Sequence, residues 1–309
     1  MTFMPNNKSG FDHDTLVERA AEAFSLDYFR KNPPQEWVAP APSQPEQAPD
    51  RVVAPVKAPM PTQPGRAAPV CVDLAQLKDR GFIIPGAPTS ILSEEIRLIK
   101  RTLLLTAFGG NQRMPIENGR LIQVCSAQPN EGKTFTAINL ALSLACERDI
   151  EVLLVDADVA KPEILSTLGL YGTKGLMDAL LDPHEDVERL ILQTDIAKLS
   201  VLPAGRASSQ DTEAMASAHA HQVIQQLGNN SNRVVVFDSA PALAASPSGA
   251  LAHHVGQMLM VVRADQTPED ALREAIGLLD GCPNLHLCIN SVTYHGTARK
   301  YGAYYGLGD

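Results

Sequence analysis

The stretch Ala127-Gln-Pro-Asn-Glu-Gly-Lys-Thr134 follows the apolar run LIQVCSA (121–127) and leads into TFTAINLALSLA (134–145). A buried strand passing through a tight loop into a helix leaves successive backbone N–H groups and a helix N-terminus pointing at one spot, which suits a phosphate. The spacing is that of a P-loop, with Ala127 where the pattern has its first glycine. Gly132 lets the main chain approach the ligand closely, Lys133 reaches β- and γ-phosphates, and the Thr134 hydroxyl is placed to ligate Mg²⁺. Few features constrain a chain so tightly, because strand end, loop and helix start must all coincide.

Two more segments carry acids to the same place. VLLVDAD (152–158) puts Asp156 and Asp158 at the C-terminal end of an apolar strand, and RVVVFDS (233–239) does the same for Asp238. Further apolar, β-branched runs lie at 199–205, 257–264 and 285–291. They alternate with helix-like segments Thr134–Glu147, Thr212–Leu227 and Pro268–Leu279. This alternation predicts an α/β fold, a mostly parallel sheet with helices on both faces. Ligands of such sheets sit off the carboxyl ends of the strands, so all three acids are expected to face one nucleotide. Carboxylate and hydroxyl oxygens suit a hard cation.

The rest of the chain divides by composition. Eleven prolines between Pro33 and Pro69 predict a semi-extended linker over 33–79. Before it, residues 1–32 hold one short amphipathic helix, with Leu16, Val17, Ala20, Phe24 and Leu26 at roughly helical spacing. The catalytic domain is expected over 80–291 and a Tyr/Gly-rich tail over 292–309. A formal net charge of −9 argues against nucleic acid as a partner. Five cysteines without a CxxC pair read as reduced thiols in a cytoplasmic setting. The N-terminus carries no apolar stretch of the signal-peptide kind, and no apolar run approaches the roughly 18 residues that span a bilayer.

With these motifs in place, the sequence resembles the bacterial tyrosine kinases, P-loop kinases of polysaccharide export systems. The loop Ala127–Thr134 looks like their Walker A, the run ending in Asp156-Ala-Asp158 like their Walker A′, and VVVFDSAP like their Walker B. Ser93-Glu94-Glu95-Ile-Arg97-Leu-Ile-Lys100-Arg101 is similar to their EExRxxR oligomerisation motif, with Lys100 where the final Arg is usual. EEIRLIKRTLLLTAFG, VLPAGRAS and the N-terminal LVERA are closest to the exosortase-associated tyrosine autokinase branch. The resemblance implies ATP and Mg²⁺ as cofactors and a nucleotide site over Ala127, Gln128, Pro129, Asn130, Glu131, Gly132, Lys133, Thr134 and Phe135. It implies Lys133, Asp156 and Asp158 as catalytic residues, with Asp156 activating the tyrosine hydroxyl. Thr134, Asp158 and Asp238 would hold the metal, and Glu94, Glu95, Arg97 and Lys100 an oligomer interface. Asn290 either contacts the adenine edge or is a plain strand-end turn residue. The partners so implied are an inner-membrane polysaccharide co-polymerase acting as activator, further copies in a ring-like homo-oligomer and a cognate phosphotyrosine phosphatase. The chain would then sit in the cytoplasm, peripheral to the inner membrane. One departure is Ala160, where the family usually carries an Arg; Lys161 follows it as a charge without the bidentate fork.

Four of the six tyrosines, Tyr294, Tyr301, Tyr304 and Tyr305, fall in the last sixteen residues. Exposed hydroxyls on a glycine-spaced tail suit phosphorylation in trans, each phosphate adding nearly two negative charges. The competing reading is a partition or septum-site P-loop ATPase that works as a dimer switch. That class carries an extra lysine early in the loop, and here the position is Gln128. A third reading, a nucleotide-binding adaptor, conflicts with the intact Lys133, Asp156, Asp158 and Asp238. His219 with His221, and His253 with His254, lack further partners at ligand spacing and read as surface or packing histidines.

Overall fold

A computed structural model describes residues 68–110 and 114–292. The expected N-terminal helix, the linker up to residue 67 and the tail tyrosines lie outside the described residues. Seven strands form one sheet in the order β3-β4-β2-β5-β1-β6-β7. They are β1 (Leu121–Ser126), β2 (Glu151–Ala157), β3 (Leu192–Gln193), β4 (Leu199–Leu202), β5 (Arg233–Ser239), β6 (Gln257–Arg263) and β7 (Leu285–Asn290). All neighbours run parallel except β3, which pairs antiparallel with β4 at the edge.

β1, β2, β5 and β6 are apolar and almost wholly buried because both faces are covered, whereas β7 at the edge leaves Leu287 and Ile289 exposed. From β1, Ile122 and Val124 join a core with Ile138, Leu140 and Leu142 of α3 (Lys133–Ala145) and Leu103 of α2 (Ile91–Phe108). Leu121 and Cys125 join the opposite core, with Leu176 and Met177 of α5 (Leu176–Leu181) and Val223 and Ile224 of α7 (Ala218–Gly228). Successive side chains of a strand point to opposite faces, so one apolar run feeds two cores. The first face also carries α1 (Leu74–Asp79) and α4 (Ile164–Leu168). The second carries α6 (Asp211–Met215), α8 (Pro247–Ala252) and α9 (Glu269–Leu278).

Two expectations change, and one strand is added. The linker does not run to residue 79. Val70 forms a bridge with Thr194, Val72 donates its N–H to Asp195 Oδ1 at 2.9 Å, and Asp73 caps α1 by accepting from Gln76 N. Leu77 of α1 is fully buried against the α3 face. Between Pro69 and Pro85 there is no proline, and Val72 and Leu77 reach the core there, so the ordered domain begins about ten residues early. Thr212–Leu227 is two helices, α6 and α7, because Ser217 adopts extended backbone and its hydroxyl accepts from Ala220 N at 3.0 Å. That capping bond restarts the helix. The two-residue β3 is too short for any pattern to announce.

Replacing Leu77 with Ala removes a fully buried side chain and is expected to cost about 2–5 kcal/mol in equilibrium denaturation. A loss below about 0.5 kcal/mol would mark residues 68–79 as an appendage rather than part of the core.

Candidate active site

Between β1 and α3 the loop turns on Gly132, whose φ of +97° lies in the left-handed region. No side chain caps the start of α3, so its first N–H groups are left for a ligand. The loop itself is braced from outside. Asn290, at the end of β7, donates its Nδ2–H to the Glu131 carbonyl at 2.9 Å. A Cβ on Gly132 would lie 2.2 Å from that Nδ2, so glycine is required twice over. Glu131 is buried, and its side chain accepts from Gln128 N at 2.8 Å and from the Thr267 hydroxyl. Arg263 donates to the Asn130 carbonyl at 3.2 Å. Ala127 is buried beneath the loop, its carbonyl accepting from Leu243 N at 3.2 Å.

The three acids lie close together at the strand ends, with Asp158 alone lining the cavity. β2 and β5 are neighbours in a register that sets Asp156 directly opposite Asp238. Lys133 Nζ lies 2.7 Å from Asp158 Oδ2. Burial opposes the charge on Lys133, but the Asp238 and Asp158 carboxylates outweigh it and hold its pKa above the ordinary value. Burial pushes the Asp156 carboxyl up to about 8, and the Asp238 charge adds to the rise. N–H groups of Ile164 (3.1 Å) and Asp158 (3.3 Å) donate to Asp156 and partly offset it. Burial likewise raises Asp238 to about 7, against the pull of Lys133 and the Thr134 hydroxyl. Asp238 has Thr134 as a polar neighbour, yet both its oxygens are buried without a hydrogen bond of good geometry.

Pro129, Gly132, Lys133, Thr134, Phe135 and Asp158 open on one cavity of about 470 Å³. Buried carboxylate oxygens lacking partners beside a hydroxyl form a hard-oxygen set that fits Mg²⁺. Among the described residues no cluster of three or more His, Cys, Asp or Glu is arranged to hold a metal alone.

Other expected residues fall outside this cluster. Glu94 and Arg97 pair on α2 at 2.5 Å, with Arg97 and Glu95 exposed. Lys100 does not join them. It is buried, donates to the Ser143 carbonyl at 3.0 Å and pairs with Glu147 at 2.6 Å, which ties α2 to the end of α3 within the chain. It follows the buried stripe of α2 that also holds Ile96 and Leu103, so a helix-periodic position decides against the surface role. Lys161 pairs with Glu163 at 2.9 Å beside Ala160. His221 faces His254, not His219, with Nδ1 atoms 3.4 Å apart. Sequence reasoning missed Thr267, Arg263 and Arg80, which come to the loop or the cavity from distant segments without any motif.

No family model matches the chain. The tyrosine-protein kinase YwqD of Bacillus subtilis is 26% identical over 231 residues, 74% of this chain and 93% of that protein. The succinoglycan biosynthesis transport protein ExoP of Rhizobium meliloti is 30% identical over 197 residues, 63% of this chain and 24% of ExoP. Several of the chain's relatives bear the name tyrosine-protein kinase, in Bacillus subtilis, Acinetobacter johnsonii, Salmonella typhimurium and Streptococcus agalactiae. It spans nearly all of YwqD and about a quarter of ExoP. The kinase domain of Escherichia coli tyrosine kinase ETK has the same fold, with a TM-score of 0.59 and 22% identity over 75% of this chain and 93% of that one. None of the described helices is long and apolar enough to cross a membrane.

The raised acids make stability pH-dependent. The folded chain keeps protons on Asp156 up to about 8 and on Asp238 up to about 7, whereas an unfolded chain releases them near 4. The unfolded state therefore binds fewer protons in that window, and stability falls as pH rises through it, by up to about 1.4 kcal/mol per pH unit for each proton held. The nucleotide-free protein is expected to melt lower at about pH 8 than at about pH 5.5. Asp238→Asn should flatten that slope. A parallel profile in the variant would remove Asp238 as a proton holder.

Proposed function

We propose that the chain is an ATP-dependent protein-tyrosine autokinase that phosphorylates the tail of a second copy and regulates exopolysaccharide polymerisation and export. The observation that carries this reading is the buried pair Asp156 and Asp238, set in register beside the Lys133–Asp158 ion pair. It is a ready-made set for holding phosphate and accepting a proton. The braced loop and the N-terminus of α3 would hold the β- and γ-phosphates, and Lys133 would exchange Asp158 for phosphate. Thr134, Asp158 and Asp238 would hold Mg²⁺, which when bound neutralises the γ-phosphate charge.

The tyrosine oxygen forms a bond to the γ-phosphorus as the bond to the bridging oxygen breaks. That electron pair leaves on ADP, and the hydroxyl proton passes to a carboxylate. Tyrosine has a pKa of about 10. Burial keeps the Asp156 carboxyl protonated in the nucleotide-free chain; a cation held by Asp158 and Asp238 would favour its ionised form, which would then accept that proton. Asp158 is the acid that lines the cavity, whereas Asp156 lies almost fully buried under the backbone of α4. Comparing Asp156→Asn with Asp158→Asn therefore assigns the base, which moves to Asp158 if the Asp156 variant retains transfer.

The exosortase-associated branch, a ring-like homo-oligomer through Glu94, Glu95 and Arg97, a co-polymerase activator and a phosphatase complete the proposal. The kinase reading stands ahead of the dimer-switch ATPase because the relatives bear the name tyrosine-protein kinase. The test is incubation with γ-labelled ATP and Mg²⁺ and mapping of phosphotyrosine by mass spectrometry. Label is expected on Tyr301, Tyr304 or Tyr305, with Tyr294 a weaker site, and should drop by about 100-fold or more in Lys133→Met. A chain ending at Gly296 should lose the label of Tyr301, Tyr304 and Tyr305 and keep at most the weaker Tyr294 signal. Phosphate released to water with no labelled tyrosine, even with an activator's cytoplasmic peptide present, would leave the ATPase reading.

A further inference from the structure

The segment that sequence composition assigns to the linker and its border turns out to wall the cavity. Gln76 Nε2 donates to the carbonyls of Ser166 (2.9 Å) and Thr167 (2.8 Å) on α4. Seven residues later, Ile83 N donates to Asn139 Oδ1 at 2.8 Å, and Asn139 in turn donates to the Phe135 carbonyl at 2.9 Å. The segment is thus tied at one end behind the Asp156–Asp158 turn and at the other to the first turns of the phosphate helix. Between the ties, Arg80 and Phe82 line the same cavity as Lys133, Thr134 and Asp158.

Their chemistry differs from that of the phosphate loop. The Phe82 and Phe135 rings meet at 4.8 Å between centroids, tilted by 43°, and form an aromatic wall next to Thr134. The Arg80 guanidinium lies 5.8 Å from the Phe82 ring centroid and donates to Thr167 Oγ1 at 3.3 Å. Of the cavity's three cations, Lys133 is paired with Asp158 and Lys161 with Glu163. Arg80 meets no carboxylate within ion-pair distance among the described residues, so its charge is available. The fork of a guanidinium binds a phosphate ester or a peptide carbonyl, and an aromatic wall binds a ring.

We propose that Arg80, Phe82 and Phe135 form the acceptor subsite of this cavity, receiving the tyrosine ring of a tail peptide beside the transferable phosphate. The proposal rests on the kinase reading. It also supplies, from another part of the chain, a cation in the site where Ala160 replaces an arginine.

The test uses the full chain with a non-hydrolysable ATP analogue, Mg²⁺ and a fluorescent peptide of residues 299–309, read by anisotropy. Phosphotyrosine formed from ATP on the same peptide is scored separately. Arg80→Ala is expected to weaken peptide binding by about 10-fold while the analogue's affinity changes by less than about 2-fold. Thr167→Val, which releases Arg80 without removing it, should fall between. A peptide with its tyrosines replaced by leucine should bind as poorly to wild type as the parent peptide does to Arg80→Ala. Equal peptide affinity in wild type and Arg80→Ala, no peptide binding at all, or parallel loss of peptide and analogue would overturn the subsite. Peptide binding that depends on Arg80 without any phosphotyrosine would uphold the subsite and sink the kinase reading instead.

Discussion

Three carboxylates and one ammonium share a nearly dry space at the ends of β2 and β5, and the remaining architecture is arranged to tolerate that. Isolated buried charge is costly, so such groups persist only where partners or protons neutralise them. Lys133 neutralises Asp158 directly, while Asp156 and Asp238 rise toward the neutral form. A bound divalent cation would favour the charged forms of both. The unliganded site is therefore a stored electrostatic imbalance, and the burial of Val152 to Val155 and of Val234 to Phe237 holds the two strands in the register that creates it.

Around that imbalance the backbone is fixed by contacts from far along the chain. Glu131 and Asn130 are held by Thr267 and Arg263 at the end of β6, and the Glu131 carbonyl by Asn290 of β7. On the other flank, Gln76 and Ile83 hold α4 and α3. A loop that must present N–H groups without further rearrangement gains from such external support, because reorganisation at the moment of reaction is what preorganised sites avoid.

The local parts of this arrangement were legible in the sequence. Six of seven strands announce themselves as apolar runs, the phosphate loop by its spacing, and the three acids by their place at the ends of two of those runs. What stayed hidden depended on tertiary reach. Lys100 looks like a surface charge until α2 is packed and its ammonium meets Glu147 and the Ser143 carbonyl. Thr267, Arg263 and Arg80 belong to no spacing pattern, because their relation to the loop exists only once the sheet is closed. Residues 68–79 were masked by the proline-rich composition just before them, although two buried apolar side chains, Val72 and Leu77, are enough to anchor the segment.

The contact between Gly132 and Asn290 bears on how this chain can drift. The two positions lie on opposite sides of the domain in sequence yet leave no room for a methyl group between them. A side chain at 132 would have to displace the amide that holds the Glu131 carbonyl, and a bulkier group at 290 would press on the turn from outside. A smaller residue at 290 would relieve the crowding but release the Glu131 carbonyl, while the positive φ at 132 would still call for glycine. The end of the last strand thereby shapes the loop from outside, even though it contributes nothing to the motif by which that loop is recognised.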